Sequence, residues 1–262
     1  MIRSTFIILK GIGKITERKL WDFGILTWEN FLEAKSIPFI PPEKKSLYDR
    51  ILTRWKTELD RLNERYFFEN LPRREHWRLF QVFKGHALYL DIETTGLSPQ
   101  ASEVTVVGLC DGERTYHLIK GRDLTRDNLQ RGIEGHKILV TFYGSVFDLP
   151  LLRANFPGLN LDLPHFDLCF AGRRVGLKGG LKQVERILGI HRDPEIRNID
   201  GFEAVKLWYA YERGDRSALD LLLKYNLADT LNLVTIAGEI YRRLREKEYG
   251  QILSEDTGVA GG

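Results

Sequence analysis

The sequence predicts an α/β protein in which a mixed sheet with helices on its faces follows a small all-helical N-terminal region. Helical periodicity dominates the first part of the chain, whereas apolar runs typical of buried strands begin near residue 87. Three strand-like runs then come in succession, and helices alternate with strands after them. The 262 residues suffice for one domain of ordinary size and a small one. We expect a helical region at 1–72, a mixed-sheet domain at 73–249 and a flexible tail at 250–262.

Composition excludes several classes of protein. Hydrophobic residues make up 43% of the chain, and no apolar run reaches the roughly 18 residues of a membrane span. The apolar run at residues 6–9 is short and Lys10 follows it, so we expect no signal peptide. Two cysteines, Cys110 and Cys169, provide neither a disulfide framework nor a four-ligand zinc site, which predicts a cytoplasmic protein. A single methionine among many charged residues is typical of a thermophilic source.

The N-terminal region is basic and the remainder is slightly acidic. Residues 1–85 hold 17 Lys and Arg against 11 Asp and Glu, a balance of +6, whereas the remainder balances at −3. A phosphate-binding module beside a metal-dependent site would show this division, and so would ordinary scatter of charge.

A glycine-rich turn precedes the first predicted helix. The turn contains Gly11 and Gly13, the helix is expected at residues 15–23, and Gly24 ends it. A second helix is expected from Thr27, whose hydroxyl can cap it. In order and spacing, these elements resemble the helix-hairpin-helix family.

That resemblance implies a phosphate-binding turn at Gly11 and Gly13. Glycines allow close approach to the backbone, the free amides of the following helix attract a phosphate, and Lys14 adds a positive charge. A tight turn within a small helical bundle is the alternative. The N-terminal helices also offer a contact through which a homo-oligomer could form.

A third, amphipathic helix is predicted from Glu43 to Phe68. Its apolar face carries Leu47, Ile51, Leu52, Trp55, Leu59 and Leu62. Its opposite face carries Lys44, Lys45, Arg50, Arg54 and Arg61. A solvated surface and a nucleic-acid contact both explain this basic face.

The mixed-sheet domain is organised around an apolar run that ends in two carboxylates. Residues 87–90 are mostly apolar and lead into Asp91 and Glu93. Because side chains alternate along a strand, both carboxylates point to one face. A divalent cation between them would compensate their repulsion. On these two acids alone, a strand whose end emerges into solvent is the alternative.

The remaining elements follow in order along the chain. Asp111-Gly112 lies between apolar runs at residues 103–110 and 114–119, which predicts a hairpin and hence three consecutive antiparallel strands. A further strand is expected at residues 137–142. Helices are expected at residues 124–134, 146–155, 180–188, 202–212 and 217–247.

Two further acids have both a structural and a functional interpretation. Asp148 is predicted in the first turn of a helix, where the helix dipole by itself favours an acid. Tyr225 and Asp229 are four residues apart in the last helix and therefore share a face. An ordinary amphipathic helix with one acid explains that pair equally well.

Taken together, these motifs resemble the DEDD superfamily of 3′–5′ exonucleases, which has a ribonuclease H-like fold. They are Asp-x-Glu-Thr-Thr-Gly on the first strand, Gly-x-x-Phe-Asp at a strand-to-helix turn, and Tyr-x-x-x-Asp on a late helix. The last motif is typical of the tyrosine-bearing branch. The resemblance covers residues 75–245 and is greatest to archaeal exonuclease-like proteins with a helical N-terminal region. Supporting segments lie at residues 77–80, 165–168, 181–185 and 188–190.

The resemblance implies a phosphodiester hydrolase that uses two divalent cations, Mg²⁺ or Mn²⁺. Asp91, Glu93, Asp148 and Asp229 would hold the two ions about 3.5–4 Å apart. Tyr225 would orient the attacking water or help to deprotonate it.

The same resemblance implies how the 3′ end of a substrate is held. Thr94, Gly96 and Leu97 would form the floor beneath the terminal nucleotide, and Phe147 with Leu97 would pack against the last bases. Tyr143 departs from the family, which usually has Asn at this position. Tyrosine offers a stacking surface in place of the hydrogen bonds that Asn makes.

The expected function is metal-dependent 3′–5′ trimming of single-stranded DNA. The helix-hairpin-helix resemblance is the sole reason to favour DNA, so an exoribonuclease with the same chemistry remains open. A non-catalytic nucleic-acid-binding protein is the alternative from another class. It predicts the loss of one metal acid, whereas all four are present.

Overall fold

The computed structural model describes residues 1–96, 98 and 101–250, and it contains a five-stranded mixed sheet flanked by helices. A helical N-terminal region precedes the sheet, so the predicted α/β architecture is confirmed. Leu97, predicted to contact substrate, and residues 251–262 of the predicted tail lie outside the described residues. In the part of the chain that is described, no helix is both long and apolar enough to cross a membrane.

Four helices form most of the N-terminal region. They are α1 (Lys14–Asp22), α2 (Trp28–Glu33), α3 (Pro42–Asp60) and α4 (Glu64–Asn70). Helix α2 begins with a capping box, in which the Thr27 hydroxyl accepts from the Asn30 amide while the Asn30 side chain accepts from the Thr27 amide. The predicted cap at Thr27 is therefore confirmed.

The prediction of one continuous helix from Glu43 to Phe68 is wrong. The chain breaks between α3 and α4 at Leu62, which adopts a φ of +50°. Local polar contacts stabilise this break: Asn63 donates from Nδ2 to Glu58 Oε2 over 2.7 Å, and its Oδ1 accepts from the Tyr66 amide that opens α4. Helical periodicity continues across the break, so it cannot reveal a one-residue reversal.

Two residues of α3 lie on faces other than those predicted. Leu47 is 45% exposed although its spacing placed it on the apolar face. Lys45 is buried instead of solvated, because its ammonium pairs with Asp49 Oδ1 at 2.7 Å and lies over the Phe31 ring.

The sheet has the strand order β3-β2-β1-β4-β5, which places β1 at its centre. The strands are β1 (Ala87–Thr94), β2 (Val104–Cys110), β3 (Thr115–Ile119), β4 (Ile138–Thr141) and β5 (His165–Asp167). Strands β1, β2 and β3 pair antiparallel, as predicted, whereas β4 pairs parallel with both β1 and β5.

Helices cover both faces of the sheet. They are α5 (Phe80–Phe83), α6 (Arg126–Ile133), α7 (Asp148–Asn155), α8 (Leu168–Arg174), α9 (Leu181–Ile187), α10 (Gly201–Glu212) and α11 (Arg216–Tyr249). Leu88, Leu90 and Ile92 of β1 pack in one apolar cluster with side chains of α6 and α7. The long helix α11 packs against the same strand. Because Leu88, Leu90 and Ile92 point to the face of β1 that α6 and α7 cover, Asp91 and Glu93 must point to the opposite face.

The hydrophobic core runs without interruption from the N-terminal region into the mixed-sheet domain. Trp21 of α1 packs edge-on against Tyr249 of α11, with ring centroids 4.8 Å apart. Arg78, in the 3₁₀ helix Arg73–Leu79, is fully buried and bonds Glu17 of α1 at 3.1 Å. The domain division at residue 72 stays a prediction, and the shared core means that the two parts support each other.

Candidate active site

Strand β1 presents Asp91 and Glu93 on the face that meets α11. Their spacing of two residues gives them a common side, as the sequence predicts. The pairing of β1 with β2 becomes irregular between Glu93 and Thr94. Such an irregularity bends a strand and re-aims the side chains that follow, and it lies here at the end that carries the acids.

A glycine on the neighbouring strand lets α11 approach these carboxylates. Gly108 of β2 stands opposite Asp91 in the sheet. A Cβ at Gly108 would lie only 2.2 Å from Asn226 Oδ1 and 2.4 Å from Thr230 Oγ1. Because the strand has no side chain there, α11 comes close enough for Asn226 to reach both acids.

Asn226 connects the two carboxylates of β1. Its Nδ2 donates to Asp91 Oδ2 over 2.8 Å and to Glu93 Oε1 over 3.3 Å, and the residue is fully buried. Asn226 was not predicted as a site residue. It lies three positions before Asp229 on the same helix, and this spacing was the signal that could have identified it.

Asp91, Glu93 and Asp229 converge on one place. A carboxylate oxygen from each lies within 4.8 Å of those of the other two. An all-carboxylate oxygen donor set is the set that Mg²⁺ and Mn²⁺ bind. The Oδ1 atom of Asn226 is buried beside them without a hydrogen-bond partner in the described structure. These residues fit a divalent cation.

Mutual repulsion and burial perturb the acids strongly. Burial, followed by the charges of Asp229 and Glu93, raises the pKa of Asp91 well above its usual value. Burial and then the charge of Asp229 raise the pKa of Glu93 in the same way. Burial raises the pKa of Asp148 to about 7. The charge of Asp148 also helps to raise the pKa values of Asp91 and Glu93, although Asp148 is not among the three acids whose oxygens converge.

An arginine that the sequence did not indicate compensates part of this charge. The Arg192 guanidinium donates two 2.6 Å hydrogen bonds to Glu185 and a further one to Asp229 Oδ1. Burial raises the pKa of Asp229 to about 6, and Arg192 acts in the opposite direction. Glu185 also accepts from Asn232 Nδ2 over 2.9 Å, which fixes the carboxylate that holds Arg192. No local pattern connects Arg192 with Asp229, 37 residues later in the chain.

Tyr225 lies in the same group of side chains, one turn before Asp229. It is 7% exposed, and Lys182 Nζ and the Arg192 guanidinium lie 5.2 and 5.4 Å from its ring centroid. Burial, and next the charge of Asp229, raises the pKa of its hydroxyl. The phenol is therefore a hydrogen-bond donor near neutral pH, which favours the orienting role over the deprotonating one.

Asp148 follows a tight turn between β4 and α7, residues 142–147, which we call the elbow. The Asp167 carboxylate accepts from the backbone amides of Tyr143 and Ser145, each over 3.0 Å, and from Ser145 Oγ over 2.5 Å. Gly144 is required here because a Cβ would lie 2.1 Å from Thr141 Oγ1. Asp167 thus fixes the loop that carries Asp148. These hydrogen bonds give Asp167 a structural role.

Tyr143 adopts a left-handed backbone conformation, with a φ of +67°. This conformation is strained for tyrosine and well tolerated by Asn, which explains why Asn suits the position. The Tyr143 ring is 40% exposed and lies 5.7 Å from that of Phe170, with an interplanar angle of 30°. Contact of Tyr143 with substrate stays a prediction.

The other predicted contact residues lie in two places. Thr94 is buried and its Oγ1 donates to the Gly96 carbonyl over 2.5 Å, so the two form one turn next to Glu93. Phe147 precedes Asp148 at the start of α7 and is partly buried. Contact of these residues with substrate stays a prediction.

Gly11, Gly13 and Lys14 lie together at the start of α1. Gly11 has a φ of +91°, and Gly13 is the N-cap of the helix. The Lys14 ammonium bonds Glu248 Oε1 of α11 at 3.0 Å and lies 4.0 Å from Glu75 Oε1. Phosphate binding by this turn stays a prediction, and Lys14 would have to leave Glu248 to take part.

Comparison with known proteins gives one family and several similar folds. A family model described as the RNase H superfamily matches residues 88–241. A solved structure described as the apo form of the nuclease is 21% identical, covers 70% of this chain and 82% of its own, and has a TM-score of 0.48. Brucella melitensis NrnC with bound Mg²⁺ is 21% identical, with 65% and 79% covered and a TM-score of 0.47. The family B DNA polymerase of Pyrobaculum calidifontis is 17% identical, with 62% and 24% covered and a TM-score of 0.45. Comparison with curated proteins gives no match.

Proposed function

We propose that this chain, which belongs to the RNase H superfamily, is a metal-dependent nuclease that removes nucleotides from the 3′ end of a single strand. The convergence of Asp91, Glu93 and Asp229 within 4.8 Å, beside Tyr225, carries the proposal. Three acids from two distant segments meet here at a cost in repulsion that a structural role does not require. The ribonuclease H-like fold, predicted from sequence, is confirmed by the family match and the mixed sheet.

The four acids would hold two divalent cations, Mg²⁺ or Mn²⁺. When bound, such ions activate a water and stabilise the leaving oxygen. In the reaction, water adds to phosphorus and the bond from phosphorus to the 3′ oxygen breaks. The products are a 5′-mononucleotide and a strand that ends in a new 3′ hydroxyl.

The chain's own polar groups orient this site. Asn226 keeps the Asp91 and Glu93 carboxylates in fixed rotamers, because it donates to both. Tyr225 donates a hydrogen bond to the attacking water, since its raised pKa keeps the hydroxyl protonated. Arg192, held by Glu185, offers a phosphate oxygen its Nη1, which has no hydrogen-bond partner among the described residues.

The substrate would lie across the turn at Thr94 and Gly96, with Phe147 and Tyr143 against its bases. Such stacking is tolerant of base identity. A cleft of about 430 Å³ next to Arg192 is lined by further basic groups, Lys182, Arg186 and Arg197, which suit the strand's phosphates. Single-stranded DNA is our first choice of substrate. An exoribonuclease with the same residues is the second.

Finer assignments belong to the same proposal. We assign the chain to the tyrosine-bearing DEDD branch of archaeal, thermophilic type, because Tyr225 accompanies the four acids. The unpaired cysteines Cys110 and Cys169 suit a reducing cytoplasm. The N-terminal turn would add phosphate contacts in the manner of a helix-hairpin-helix, and its helices would join a homo-oligomer.

The deciding experiment uses 5′-labelled DNA and RNA strands, with Mg²⁺ or with EDTA. We expect a ladder that shortens from the 3′ end with Mg²⁺ only, and its loss in Asp91→Ala and Asp229→Ala. Asp220→Ala removes an exposed acid of the same helix and should leave the ladder unchanged. Internal cuts, or no product with any divalent cation, would refute the proposal. The strand that is shortened at the higher rate, DNA or RNA, is the preferred substrate.

The N-terminal assignments need a separate test. Deleting residues 1–72 would expose the shared core, so a point variant is preferable. Lys14→Gln should reduce the salt dependence of strand binding if Lys14 contacts phosphate. An unchanged salt slope would leave the turn as scaffold. Light scattering of the intact chain reports the oligomeric state.

A further inference from the structure

A second cavity, of about 360 Å³, lies where the 3₁₀ helix Arg73–Leu79 packs against β5, α7 and α8. We call it the junction pocket. Its volume falls in the range of small-molecule sites, about 300–1,000 Å³. Its floor is apolar and well buried, formed by Trp77, Leu149, Leu161 and Phe166. The metal-binding acids are not among its lining residues.

The walls of the junction pocket are aromatic. Phe170 of α8 is 40% exposed and Phe68 of α4 is partly buried, so both offer ring surface to the space between them. Phe170 also contacts the exposed Tyr143 ring, which continues the aromatic surface toward the elbow. Aromatic surfaces of this kind stack nucleobases at about 1–3 kcal/mol per base.

The rim of the pocket is positively charged. Arg73, Arg74, Arg153 and Arg174 line it together with one carboxylate, Asp167. The charge of Asp167 is already engaged by four donors, the amides of Tyr143, Ser145 and Cys169 and the Ser145 hydroxyl. The lining therefore carries more positive than negative side chains, and its one carboxylate already accepts hydrogen bonds from protein groups.

Two of these arginines are available to a ligand. No carboxylate lies within 4.0 Å of Arg73 in the described structure, and Arg153 Nη2 has only Asp162 Oδ1 at 3.7 Å, with both side chains about half exposed. That pair adds little stability. Both arginines help to lower the pKa of His165, which burial chiefly brings to about 4, so their charges reach the pocket wall. Arg174, by contrast, is committed to Glu248 at 2.8 Å.

The pocket shares a wall with the elbow that presents Asp148. Ser145 and Leu149 line it, three residues before and one residue after Asp148. A strand whose 3′ end reached the acids would therefore pass Tyr143 and Phe170 and meet the pocket next.

We propose that the junction pocket is a subsite for one nucleotide of the strand upstream of the scissile bond. The base contacts Phe68 and Phe170, and the phosphate lies between Arg73 and Arg153. The assignment to a strand rests on the proposed nuclease function. The inference that the pocket binds a nucleotide does not rest on that function, since it follows from the aromatic walls, the positive rim and the volume of the pocket.

Binding is tested on the full chain carrying Asp91→Asn, in EDTA, so that no turnover occurs. The probes are fluorescein-labelled DNA and RNA strands of about 12 nucleotides, read by anisotropy, and AMP, read by calorimetry. Phe170→Ala should weaken strand binding at least about fivefold. Arg153→Gln should lower the salt slope by about 0.7. Phe202→Ala and Arg216→Gln, exposed residues away from the pocket, are the matched controls.

Each outcome decides the proposal. Weaker strand binding in Phe170→Ala and a lower salt slope in Arg153→Gln, with neither control changed, support it. Loss of AMP binding alone, with strand binding intact, would show a site for free nucleotide and overturn the assignment to the strand. Unchanged binding of both probes would overturn the pocket altogether. Pocket-dependent strand binding without cleavage by the unsubstituted chain would refute the nuclease and leave the junction pocket as a strand-binding site only.

Discussion

Replacing Asp148 by Asn should stabilise the metal-free protein at neutral and alkaline pH. The pKa of Asp148 is raised from 3.8 to about 7, so the folded state holds a proton that the unfolded state has already released. The contribution of this group to stability is thus complete below pH 3.8 and is lost progressively as the pH rises through 7. Asparagine does not titrate, so the variant does not lose this stability as the pH rises.

The magnitude follows from the two pKa values. A difference of about three pKa units corresponds to about 4 kcal/mol, which is an upper bound because the cluster titrates as a unit. Each kcal/mol shifts the midpoint of thermal unfolding by about 2–4 °C in a chain of this size. Asp148→Asn should therefore unfold several degrees higher than the wild type at pH 8 in EDTA, and at the same temperature near pH 4.

Magnesium should reduce the difference in stability between the two proteins. Saturating metal stabilises the wild type by about 2.7 kcal/mol at a hundredfold excess over Kd, whereas the variant has lost one ligand. Thermal unfolding with EDTA or Mg²⁺, at pH 4 and pH 8, measures all four conditions. Asp220→Asn, exposed on α11, is the control and should match the wild type in each. A variant less stable than wild type at pH 8 in EDTA would refute the reasoning.

Three other substitutions test separate features. Tyr143→Asn should raise the free energy of unfolding by about 1 kcal/mol, because Asn tolerates the left-handed conformation. The same substitution should weaken strand binding. A lower free energy of unfolding in urea would contradict this reasoning. Gly108→Ala should destabilise by about 1–3 kcal/mol and weaken Mn²⁺ binding measured by calorimetry, while Gly85→Ala, which meets open space, should change neither. His76, whose pKa burial lowers to about 4, should cost up to about 3 kcal/mol of stability as the pH falls from 6.5 to 4. His76→Asn should flatten that dependence in urea unfolding, and an equally steep profile would exclude His76 as its source.

Local features of the fold were predictable because their causes are local. The alternation of side chains along a strand placed Asp91 and Glu93 on one face, and the helical repeat placed Tyr225 with Asp229. The Asp111-Gly112 hairpin and the cap at Thr27 also follow from neighbours in sequence, and the structure has both.

Features that no periodic pattern encodes were missed. Leu62 reverses the chain within a periodic stretch because Glu58 and Asn63 fix the turn, a contact that periodicity does not encode. Lys14 pairs with Glu248 across 234 residues, which no sequence pattern near either residue indicates.

The sequence by itself determined which residues we propose for the chemistry, since the motifs that resemble the DEDD superfamily contain the four acids and Tyr225. The tertiary structure decided how their charge is compensated. Gly108 lets α11 approach so that Asn226 reaches Asp91 and Glu93, and Arg192, fixed by Glu185, faces Asp229. The reason is physical: periodicity acts over one or two turns of chain, whereas repulsion and desolvation act through space.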